Sequence, residues 1–426
     1  IQQYESARKR FLLGYISPIA KEIENRLKEL EAVKRISLAG SIRRRKETIG
    51  DVDILVTSQQ PLEVMNYFTQ LPEVKRVVAK GKTKSTLFLT NNLQVDLRVV
   101  EEESFGSALQ YFTGSKEHNI RLRELALEKN WKLSEYGLMD KNTDKKLAGE
   151  EEVEIYQALG LEYIEPELRE NRGEIEAALE GRLPNLIRHE DIKGDVHVHT
   201  TWSDGSHSIE EMAETAQSLG YEYLGICDHS KTLQIAHGLT DEEICKQMDE
   251  IERINQQMEN FTILKGIEAN IDSEGELDVG NEVLKDLDVV VASIHSGFQQ
   301  TEKKITERVL TAMTHDPVNI IAHPTGRIIN RREAYPIDLS RIFETASQLG
   351  VLMEINAFPN RLDLSDINCF KAKDYGVRFS IATDSHQKEH LRYMKIGVDN
   401  ARRGWLEKTD VINTLNLKGI KELLDT

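Results

Sequence analysis

Apolar positions recur with helical spacing near the start of the chain and with strand-like alternation after it. Four aliphatic residues are spaced by four, four and three positions with Lys and Glu between them: Ile19, Ile23, Leu27 and Leu30. This spacing predicts a helix over residues 1–31. The segment 35–58 predicts a strand, a turn rich in Gly and Arg, and a second strand whose apolar residues alternate.

The pattern then predicts five further elements before a connector. They are a helix over 62–71, strands over 74–80, 85–90 and 93–100, and a helix from Phe105 to Asn130. The stretch from about Lys141 to Lys193 is acidic and contains Pro166 and Pro184. We expect this stretch to be a connector with helical pieces.

After Gly194 the pattern changes to short apolar runs that alternate with helical segments. Such alternation predicts parallel strands joined by helical crossovers. Six or seven strands are more than a simple open sheet needs, so the pattern favours a barrel-like closure.

Length and composition narrow the class of protein. The chain has 426 residues, of which 39% are hydrophobic and 30% charged, which is typical of two or three soluble domains. It has no apolar run long enough for a membrane helix and no segment like a signal peptide. The three scattered cysteines, Cys227, Cys245 and Cys369, favour the cytoplasm over an oxidising compartment. Because the chain begins at Ile1 without an initiator Met, we expect an upstream segment either to have been removed or never to have been built.

Charge and histidine are distributed unevenly. Residues 1–150 carry 26 Lys and Arg against 21 Asp and Glu, whereas residues 151–426 carry 29 against 51. Only His118 lies in the first part, and the other eleven histidines lie between His189 and His390. This asymmetry indicates two domains with different electrostatic roles. An acidic, His-rich domain has the composition of a multinuclear metal site, although acidic surfaces also simply aid solubility.

A first cluster of candidate residues lies in the basic half. Asp51 and Asp53 flank one residue of a predicted strand, so their side chains share a face, and Asp96 lies on another strand. Three carboxylates on neighbouring strands can hold the two divalent ions that nucleotidyl transfer requires. Gly40 and Ser41 form a turn whose backbone N–H groups can bind a phosphate, next to three consecutive arginines. A lone pair of aspartates is often a solvated turn, but the combined pattern is not explained that way.

These motifs resemble those of family X DNA polymerases, the relatives of DNA polymerase beta. The resemblance spans about residues 1–140 and rests on GSIRRRKETIGDVDILV, LQVDLRVV and YFTGSKEHNIRLR. It implies an α+β nucleotidyltransferase palm with a thumb, which extends DNA with dNTPs and uses Mg²⁺ or Mn²⁺. It also implies that Asp51, Asp53 and Asp96 bind the catalytic metals, with Asp96 as general base for the primer 3′-hydroxyl.

The same resemblance implies contacts to the nucleotide and to DNA. The implied nucleotide contacts are Gly40, Ser41, Arg44 and Gly50 for the triphosphate, Tyr111, Phe112 and Gly114 for the sugar, and Asn119 for the base edge. Arg98 would hold Asp96 through a charge-assisted hydrogen bond, and Arg123 would contact the template side. Alternatively, the two aromatic residues are ordinary helix core.

The chain departs from the family pattern at two points. Lys116 stands where the best-known animal relatives carry a carboxylate. The N-terminal helix-hairpin-helix domain is expected to be missing apart from a last helical piece. The expected domains are a fingers remnant over 1–31, the palm over 32–103, the thumb over 104–150, a linker over 151–193 and a phosphoesterase domain over 194–426.

A second cluster lies in the acidic half, where nearly every predicted strand finishes with a metal-competent side chain. The nine candidates are His197, His199, Asp204, His229, Glu268, His295, His323, Asp384 and His386. Because active sites of α/β barrels lie at the carboxyl ends of the strands, we expect these residues to converge. Scattered structural histidines would not follow strand ends so regularly.

This half resembles the polymerase and histidinol phosphatase (PHP) domain, with a distorted (β/α)7-type barrel. GDVHVHTTWSDG, ICDHS, GIEANI, SIHSG, IAHP and ATDSH match its motifs in order. The resemblance implies about three ions, Mn²⁺ in preference to Zn²⁺. The implied sets are His197, His199, Glu268 and Asp384 for one ion, Glu268, His295 and His323 for a second, and Asp204, His229 and His386 for a third. His237, Arg327 and Arg361 are further candidates for binding phosphate.

The combined reading is a bacterial repair polymerase that fills gaps and trims 3′ ends. The palm would add nucleotides and the PHP domain would remove them as a 3′-5′ exonuclease. We expect a monomer that binds gapped or primer-template DNA. Two alternatives remain. One is a small-molecule phosphatase fused to a vestigial polymerase, and the other is a DNA-end scaffold whose metals only stabilise the fold.

Overall fold

A computed structural model describes residues 10–425, and its contacts divide the chain into two compact units, Ile1–Pro184 and Asn185–Thr426. The part of the predicted N-terminal helix that falls on residues 1–9 lies outside the described residues. Within the described residues the helix is confirmed over Leu13–Lys28, which we call α1. Its predicted ends are wrong, because Phe11–Leu12 is a short strand and residues 29–31 form a turn.

Unit 1 contains ten strands and seven α-helices among its described residues. The strands are β1 Phe11–Leu12, β2 Arg35–Ala39, β3 Thr48–Ile49, β4 Asp51–Thr57, β5 Val74–Lys80, β6 Lys84–Leu89, β7 Gln94–Val100, β8 Trp131–Ser134, β9 Gly137–Asp140 and β10 Lys146–Ala148. The helices are α1, α2 Gly40–Arg43, α3 Pro61–Thr69, α4 Phe105–Thr113, α5 Lys116–Glu128, α6 Glu152–Leu159 and α7 Glu174–Leu179.

A five-stranded sheet in the order β2-β4-β7-β6-β5 carries the first cluster of carboxylates. Strands β4 and β7 are parallel, and the other neighbouring pairs are antiparallel. Alternate residues of the central strands, including Ile54, Val56, Val95 and Leu97, pack with α1 and α3 in one core. The carboxylates therefore lie at one end of a sheet that is fixed by its buried face.

The predicted helix from Phe105 to Asn130 is wrong as a single helix, because the chain turns between α4 and α5 at Gly114 and Ser115. Gly114 has φ +70°, which a glycine adopts without steric cost. The Ser115 side chain then accepts a hydrogen bond from the His118 backbone N–H at 3.2 Å and caps α5. The prediction failed because the helical spacing of apolar residues in the sequence continues across the turn that the glycine and the N-cap serine create.

The stretch predicted as a connector contributes part of the folded structure of unit 1. Strand β10 pairs with β9, and α6 contacts α4. Helix α6 begins with a capping box between Glu151 and Glu154 and ends at Gly160, which has φ +84°. The finer division of this unit into palm, thumb and linker remains a prediction.

Unit 2 contains seven strands and eight α-helices among its described residues. The strands are β11 Gly194–Val198, β12 Tyr223–Ile226, β13 Thr262–Asn270, β14 Val289–Ser293, β15 Ile320–Ile321, β16 Leu352–Asn356 and β17 Phe379–Ala382. The helices are α8 Ile209–Ser218, α9 Asp241–Asn255, α10 Asn281–Leu284, α11 Glu302–Met313, α12 Leu339–Leu349, α13 Asp366–Lys373, α14 Met394–Arg403 and α15 Leu417–Leu424.

The seven strands are all parallel and follow one another in sequence order from β11 to β17. The first and last strands then meet, because Val198 and Ser385 form a parallel bridge. Across the same junction His199 N donates to Ser385 O at 2.8 Å. The barrel-like closure predicted from the sequence is confirmed.

Two layers of core follow from the alternation of side chains along the barrel strands. Val289 and Val291 pack inside with residues of α15, whereas Val290 and Ala292 pack outside against the crossover helices. The barrel is thereby filled with apolar side chains, and the polar residues concentrate at the carboxyl ends of the strands. No helix within residues 10–425 is both long and apolar enough to cross a membrane. The three cysteines are unpaired.

Candidate active sites

The strand register brings the first cluster of carboxylates to one end of the unit 1 sheet. Asp53 on β4 is opposite Asp96 on β7 and opposite Ala39 on β2, and Asp51 precedes Asp53 on the same face. The Gly40 turn directly follows β2 and has φ +65°. A Cβ at position 40 would lie 2.7 Å from Asp53 Oδ2, so the turn must lack a side chain here.

Two neighbours that the sequence did not single out hold Asp96. Its Oδ1 accepts a hydrogen bond from Thr86 Oγ1, and its Oδ2 accepts one from Gln94 Nε2 at 2.7 Å. Asp96 is only 7% exposed, so these contacts orient a carboxylate that is almost withdrawn from water. Thr86 lies opposite Asp96 on β6 and is recognisable only once the strand register is known, whereas Gln94 precedes Asp96 by two positions on β7.

Crowding of like charges shifts the titration of the other two carboxylates. Burial, followed by the charges of Asp51 and Asp96, raises the pKa of Asp53 to about 7. Burial and Asp96 also raise the pKa of Asp51. Within the described residues these three carboxylates do not have one oxygen each within 4.8 Å of the others. Divalent cations fit this donor set, because they would neutralise the clustered negative charges that raise the pKa values of Asp51 and Asp53.

Arg44 connects the phosphate turn to the end of α4. Its Nη1 donates to Thr113 O at 2.5 Å, and its Nε donates to Glu170 Oε1 at 3.0 Å. Gly114 lies next to this guanidinium, since a Cβ there would be 3.2 Å from Arg44 Nη1. The structure therefore places the residues predicted for the triphosphate beside those predicted for the sugar.

The other predicted nucleotide and DNA residues lie around the same turn. Tyr111 and Phe112 are in an edge-to-face contact with centroids 5.1 Å apart. The Arg98 guanidinium lies 4.5 Å from the Phe112 ring centroid, and its Nε is buried with no hydrogen-bond partner among the described residues. Asn119 donates to Tyr111 O at 2.7 Å, so its side chain supports the turn.

Four remaining candidates of this unit are less constrained. Ser41, Gly50 and Arg123 are half-buried, and Lys116 is exposed at the start of α5. A Cβ at Gly50 would lie 3.3 Å from Arg10 Nη1.

A buried ionic network that the sequence analysis missed lies next to the phosphate turn. Glu152 accepts hydrogen bonds from Arg43 Nη2 at 2.7 Å, from Arg169 Nη1 at 2.6 Å and from the Tyr163 hydroxyl at 2.7 Å. Arg169 is fully buried. The two guanidinium groups hold the pKa of Glu152 well below its usual range, despite the opposing effect of burial. The network fixes Arg43 and thereby the segment that presents Arg44.

All nine histidine and carboxylate candidates of unit 2 lie at or just beyond the carboxyl ends of the barrel strands. Glu268 is central to them and its side chain is 1% exposed. Its oxygens lie 2.8 Å from His229 Nδ1, 3.1 Å from His323 Nε2 and 3.4 Å from His295 Nε2. The predicted convergence of these side chains follows from the parallel register of the strands.

Three overlapping groups of these residues have donor atoms within 4.8 Å of one another. The groups are His197, His199 and Asp384; His229, Glu268 and His295; and His199, Asp204, His229 and His386. The arrangement resembles the three predicted ligand sets, but His199 and His229 each belong to two groups. Shared ligands of this kind are typical of ions that lie close together.

The donor set fits metal ions better than it fits hydrogen bonding. His197 Nε2 and His199 Nε2 face each other at 3.2 Å, close enough for both to reach one ion at the about 2.0–2.1 Å of a metal–imidazole bond. Within residues 10–425, four buried atoms of the cluster make no hydrogen bond: His199 Nδ1, His229 Nδ1, Glu268 Oε2 and His323 Nδ1. His229 Nδ1 and Glu268 Oε2 lie 2.8 Å apart, but their orientation is not that of a hydrogen bond. Such orphaned groups are rare in folded proteins unless an ion or water satisfies them.

The environment of the cluster shifts the pKa values of its histidines in opposite directions. Burial, together with the neighbouring His386 and His229, lowers the pKa of His199 to about 3. Although burial opposes it, the hydrogen bond with Asp204 raises the pKa of His386 to about 9. The same pairing lowers the pKa of Asp204 to about 2 against the effect of burial. His199 is therefore neutral at physiological pH, whereas an ion that binds His386 must displace a proton from it.

Glu354, which the sequence analysis missed, orients two of the candidate ligands. Its Oε1 accepts a hydrogen bond from His197 Nδ1 at 2.7 Å, and its Oε2 accepts one from the His323 backbone N–H at 2.6 Å. The bond at Nδ1 fixes the tautomer that leaves His197 Nε2 free to ligate. Asn356 donates to Asp384 Oδ2 at 2.9 Å in the same way. The sequence feature that could have indicated Glu354 is a charged residue within the apolar run LMEIN, which forms a fully buried strand.

The three predicted phosphate-binding residues are placed differently. Arg361 Nε lies 3.6 Å from Asp384 Oδ2, so its guanidinium borders the cluster. Arg327 donates to Leu362 O and thereby joins the loops that follow β15 and β16. His237 is exposed on the loop that follows β12.

Comparisons with known proteins agree with this geometry. Family models match three regions: DNA polymerase beta palm over residues 16–123, DNA polymerase beta thumb over 108–170, and PHP domain over 195–357. The chain is 44% identical to the DNA polymerase/3′-5′ exonuclease PolX of Bacillus subtilis (strain 168) over 417 residues, 97% of this chain and 73% of that protein.

The second half also matches shorter proteins. A probable phosphatase of Thermoanaerobacter sp. (strain X514) is 30% identical over 241 residues, 54% of this chain and 93% of the relative. A probable phosphatase of Caldanaerobacter subterraneus subsp. tengcongensis is 34% identical over 203 residues, 45% of this chain and 75% of the relative.

Proposed function

Because this chain belongs to the family X DNA polymerases that carry a PHP domain, we propose that it extends DNA 3′ ends with dNTPs and removes 3′-terminal nucleotides at a second site. The observation that carries this proposal is the presence of a complete donor set at each site. Unit 1 has all three palm carboxylates on neighbouring strands. In unit 2, eight of the nine barrel-end donors belong to the three close groups, and the ninth, His323, lies 3.1 Å from Glu268.

For synthesis, we assign two divalent ions, Mg²⁺ or Mn²⁺, to Asp51, Asp53 and Asp96. Bound ions would activate the primer hydroxyl and neutralise charge on the triphosphate. Asp96 accepts the proton of the primer 3′-hydroxyl, and its contacts with Thr86 and Gln94 hold it ready for that step. Asp51 and Asp53 supply the other carboxylate oxygens that would hold the two ions.

The incoming nucleotide lies along the Gly40 turn and the Gly114 turn, which Arg44 connects. The N–H groups of Gly40 and Ser41 and the Arg44 guanidinium bind the triphosphate, and Gly50 belongs to the same cradle. The Tyr111–Gly114 segment lines the sugar. Since Asn119 already supports that segment through Tyr111 O, it reaches the base edge only by exchanging this hydrogen bond.

DNA contacts extend from the same sheet. Arg98 projects from the face of β7 that carries Asp96, and its buried Nε makes it available for a charge-assisted bond when Asp96 rearranges around the primer end. Arg123 on α5 contacts the template side.

For hydrolysis, we assign about three ions, Mn²⁺ in preference to Zn²⁺, to the nine donors of unit 2. Bound ions would supply the nucleophilic hydroxide and spread the charge that develops on phosphorus. Arg361 binds a phosphate oxygen at the edge of the cluster, and Arg327 and His237 contact the neighbouring backbone. Glu354 keeps His197 in the tautomer that ligates.

Two features of the chain favour this function over a phosphatase fused to an inactive palm. The palm retains its carboxylates and the glycine that Asp53 requires, which a vestigial site would have no reason to keep. The family match also extends through the whole of unit 1. A scaffold role would not need a buried Glu354 that fixes a histidine tautomer.

The charge distribution assigns most of the DNA binding to the first half. Residues 1–150 are net positive, whereas residues 151–426 are strongly acidic. Three divalent ions would offset about six negative charges at the second site. We propose gapped or primer-template DNA as substrate, a monomer as the active form and the bacterial cytoplasm as the compartment.

The test uses a 5′-labelled primer on a gapped template, with Mg²⁺ or Mn²⁺ and with or without dNTPs. We expect lengthening with dNTPs and stepwise shortening without them. Release of inorganic phosphate from sugar phosphates, with no change in primer length under any condition, would instead identify a phosphatase.

A further inference from the structure

A cavity of about 610 Å³ is lined by the loops that follow β14 and β15, which leave the barrel at the same end as the metal-competent cluster of unit 2. Its wall begins at Gly297 and Phe298, on the loop that follows β14, and continues through Arg332 and Tyr335. Phe298 is three residues beyond His295, so their Cα atoms are at most about 11 Å apart. The cavity therefore lies within the reach of a single nucleotide whose phosphate is at the cluster.

The floor of this cavity is a rigid stack of planar groups. The rings of Phe298 and Tyr335 are parallel within 9°, with centroids 6.0 Å apart. Tyr335 is held by its hydroxyl, which donates to Pro324 O at 2.9 Å. Gly326 packs so closely on Tyr335 that a Cβ at position 326 would lie 2.3 Å from the ring.

Arg332 adds a third planar group and a positive charge. Its guanidinium lies 4.3 Å from the Phe298 ring centroid, and its Nε donates to Gly326 O at 2.9 Å. Arg361, which borders the metal-competent cluster, lies on the next strand's loop. The exposed Glu333 also lines the cavity, so its distinctive feature is the set of aromatic and guanidinium planes and not a net positive charge.

Nucleobases bind to surfaces of this chemistry. Stacking on aromatic rings and on guanidinium planes works for every base, because each base has a π-face. An exonuclease that removes successive nucleotides needs this tolerance, which hydrogen-bond readout of base edges would not provide.

We propose that this cavity binds the base of the 3′-terminal nucleotide, stacked on Phe298 and Arg332, while its scissile phosphate lies at the barrel-end cluster. The inference rests on the proposed exonuclease function and identifies how that site holds its substrate. Because a base in the cavity cannot remain paired, the site acts faster on frayed or mismatched ends than on paired ends.

The test compares two 5′-labelled single strands that differ only at the 3′-terminal residue, which carries either a base or an abasic sugar analogue. Stacking of one base corresponds to about 5- to 150-fold in kcat/KM, so the wild-type protein should remove the complete nucleotide faster by a factor in that range. Phe298→Ala should abolish this preference, so that the two ends are removed at equal rates. Phe298→Trp should retain it.

Phe370→Ala is the matched control, because Phe370 is also a half-buried ring of unit 2 in an aromatic pair, with Trp405 at 5.3 Å. This variant should keep the preference. Equal wild-type rates on both ends would overturn the proposal, and so would an equal slowing of both substrates by Phe298→Ala. Absence of hydrolysis of either strand by the wild-type protein would refute the exonuclease function itself.

Discussion

Replacement of Glu354 by Gln should weaken metal binding in unit 2, although it changes the side-chain shape very little. The carboxylate accepts from two N–H donors on opposite oxygens, His197 Nδ1 at 2.7 Å and His323 N at 2.6 Å, and the second oxygen also accepts from Asn356 Nδ2 at 3.2 Å. A glutamine has only one oxygen, so its NH₂ group must face one of these two donors whichever way the amide is turned.

Each orientation of the amide has a cost. If the NH₂ group faces His197, the imidazole must move its proton to Nε2, and this histidine can no longer ligate. If it faces His323, a buried backbone N–H loses its acceptor, which costs about 1–3 kcal/mol. Substitutions of residues that orient metal ligands typically reduce metal affinity or activity about 10- to 100-fold, and we expect Glu354→Gln to fall in that range.

The measurement is the rate of 3′-end shortening as a function of Mn²⁺ concentration, with binding by titration calorimetry as the second readout. The matched control is Glu174→Gln in unit 1, because Glu174 is equally buried and also accepts from a histidine Nδ1, that of His118, at 2.7 Å. The control should destabilise unit 1 but leave the Mn²⁺ dependence of shortening unchanged. An unaltered Mn²⁺ dependence in Glu354→Gln would refute the reasoning.

Three further results are expected from unit 1. Glu152→Gln should lower the free energy of unfolding of unit 1 by about 3–5 kcal/mol, because two buried guanidinium groups lose their partner. In the same thermal unfolding experiment, the control variant Glu176→Gln, at an exposed ion pair, should cost at most about 1 kcal/mol. Equal losses in the two variants would contradict this prediction. Gly40→Ala should reduce primer extension about 100-fold by displacing Asp53, with 3′-end shortening as the internal control. Burial lowers the pKa of His118, so the folded state binds fewer protons than the unfolded state at low pH. Unit 1 should therefore lose stability as pH falls below about 6.5. A denaturation midpoint that does not change between pH 7.5 and pH 5.5 would contradict this prediction.

The parts of the structure that the sequence predicts are those set by local periodicity. The alternating pattern around Asp51 and Asp53 indicates a strand and the face that carries both carboxylates. In unit 2, a short apolar run followed by His or Asp predicts a strand and a ligand at its carboxyl end. Since every parallel strand ends at the same rim, convergence of the donors follows without knowledge of any individual contact.

The features that the sequence does not predict depend on contacts between distant positions. Glu152 meets Arg43 across 109 positions, and His197 meets Glu354 across 157. Each of these glutamates has a local context of its own, a helix start in one case and an apolar strand in the other. Only the fold shows that one stabilises an arginine cluster and the other fixes a histidine tautomer.

The central claim is that two separate sites act on the same 3′ end. The most direct measurement follows one 5′-labelled primer on a gapped template with Asp53→Asn and His197→Ala, and with His315→Ala as control for loss of a histidine outside the cluster. We predict that Asp53→Asn shortens the primer but does not extend it, that His197→Ala extends but does not shorten it, and that His315→Ala does both. Loss of both activities in either site variant, with the fold intact, would contradict the claim.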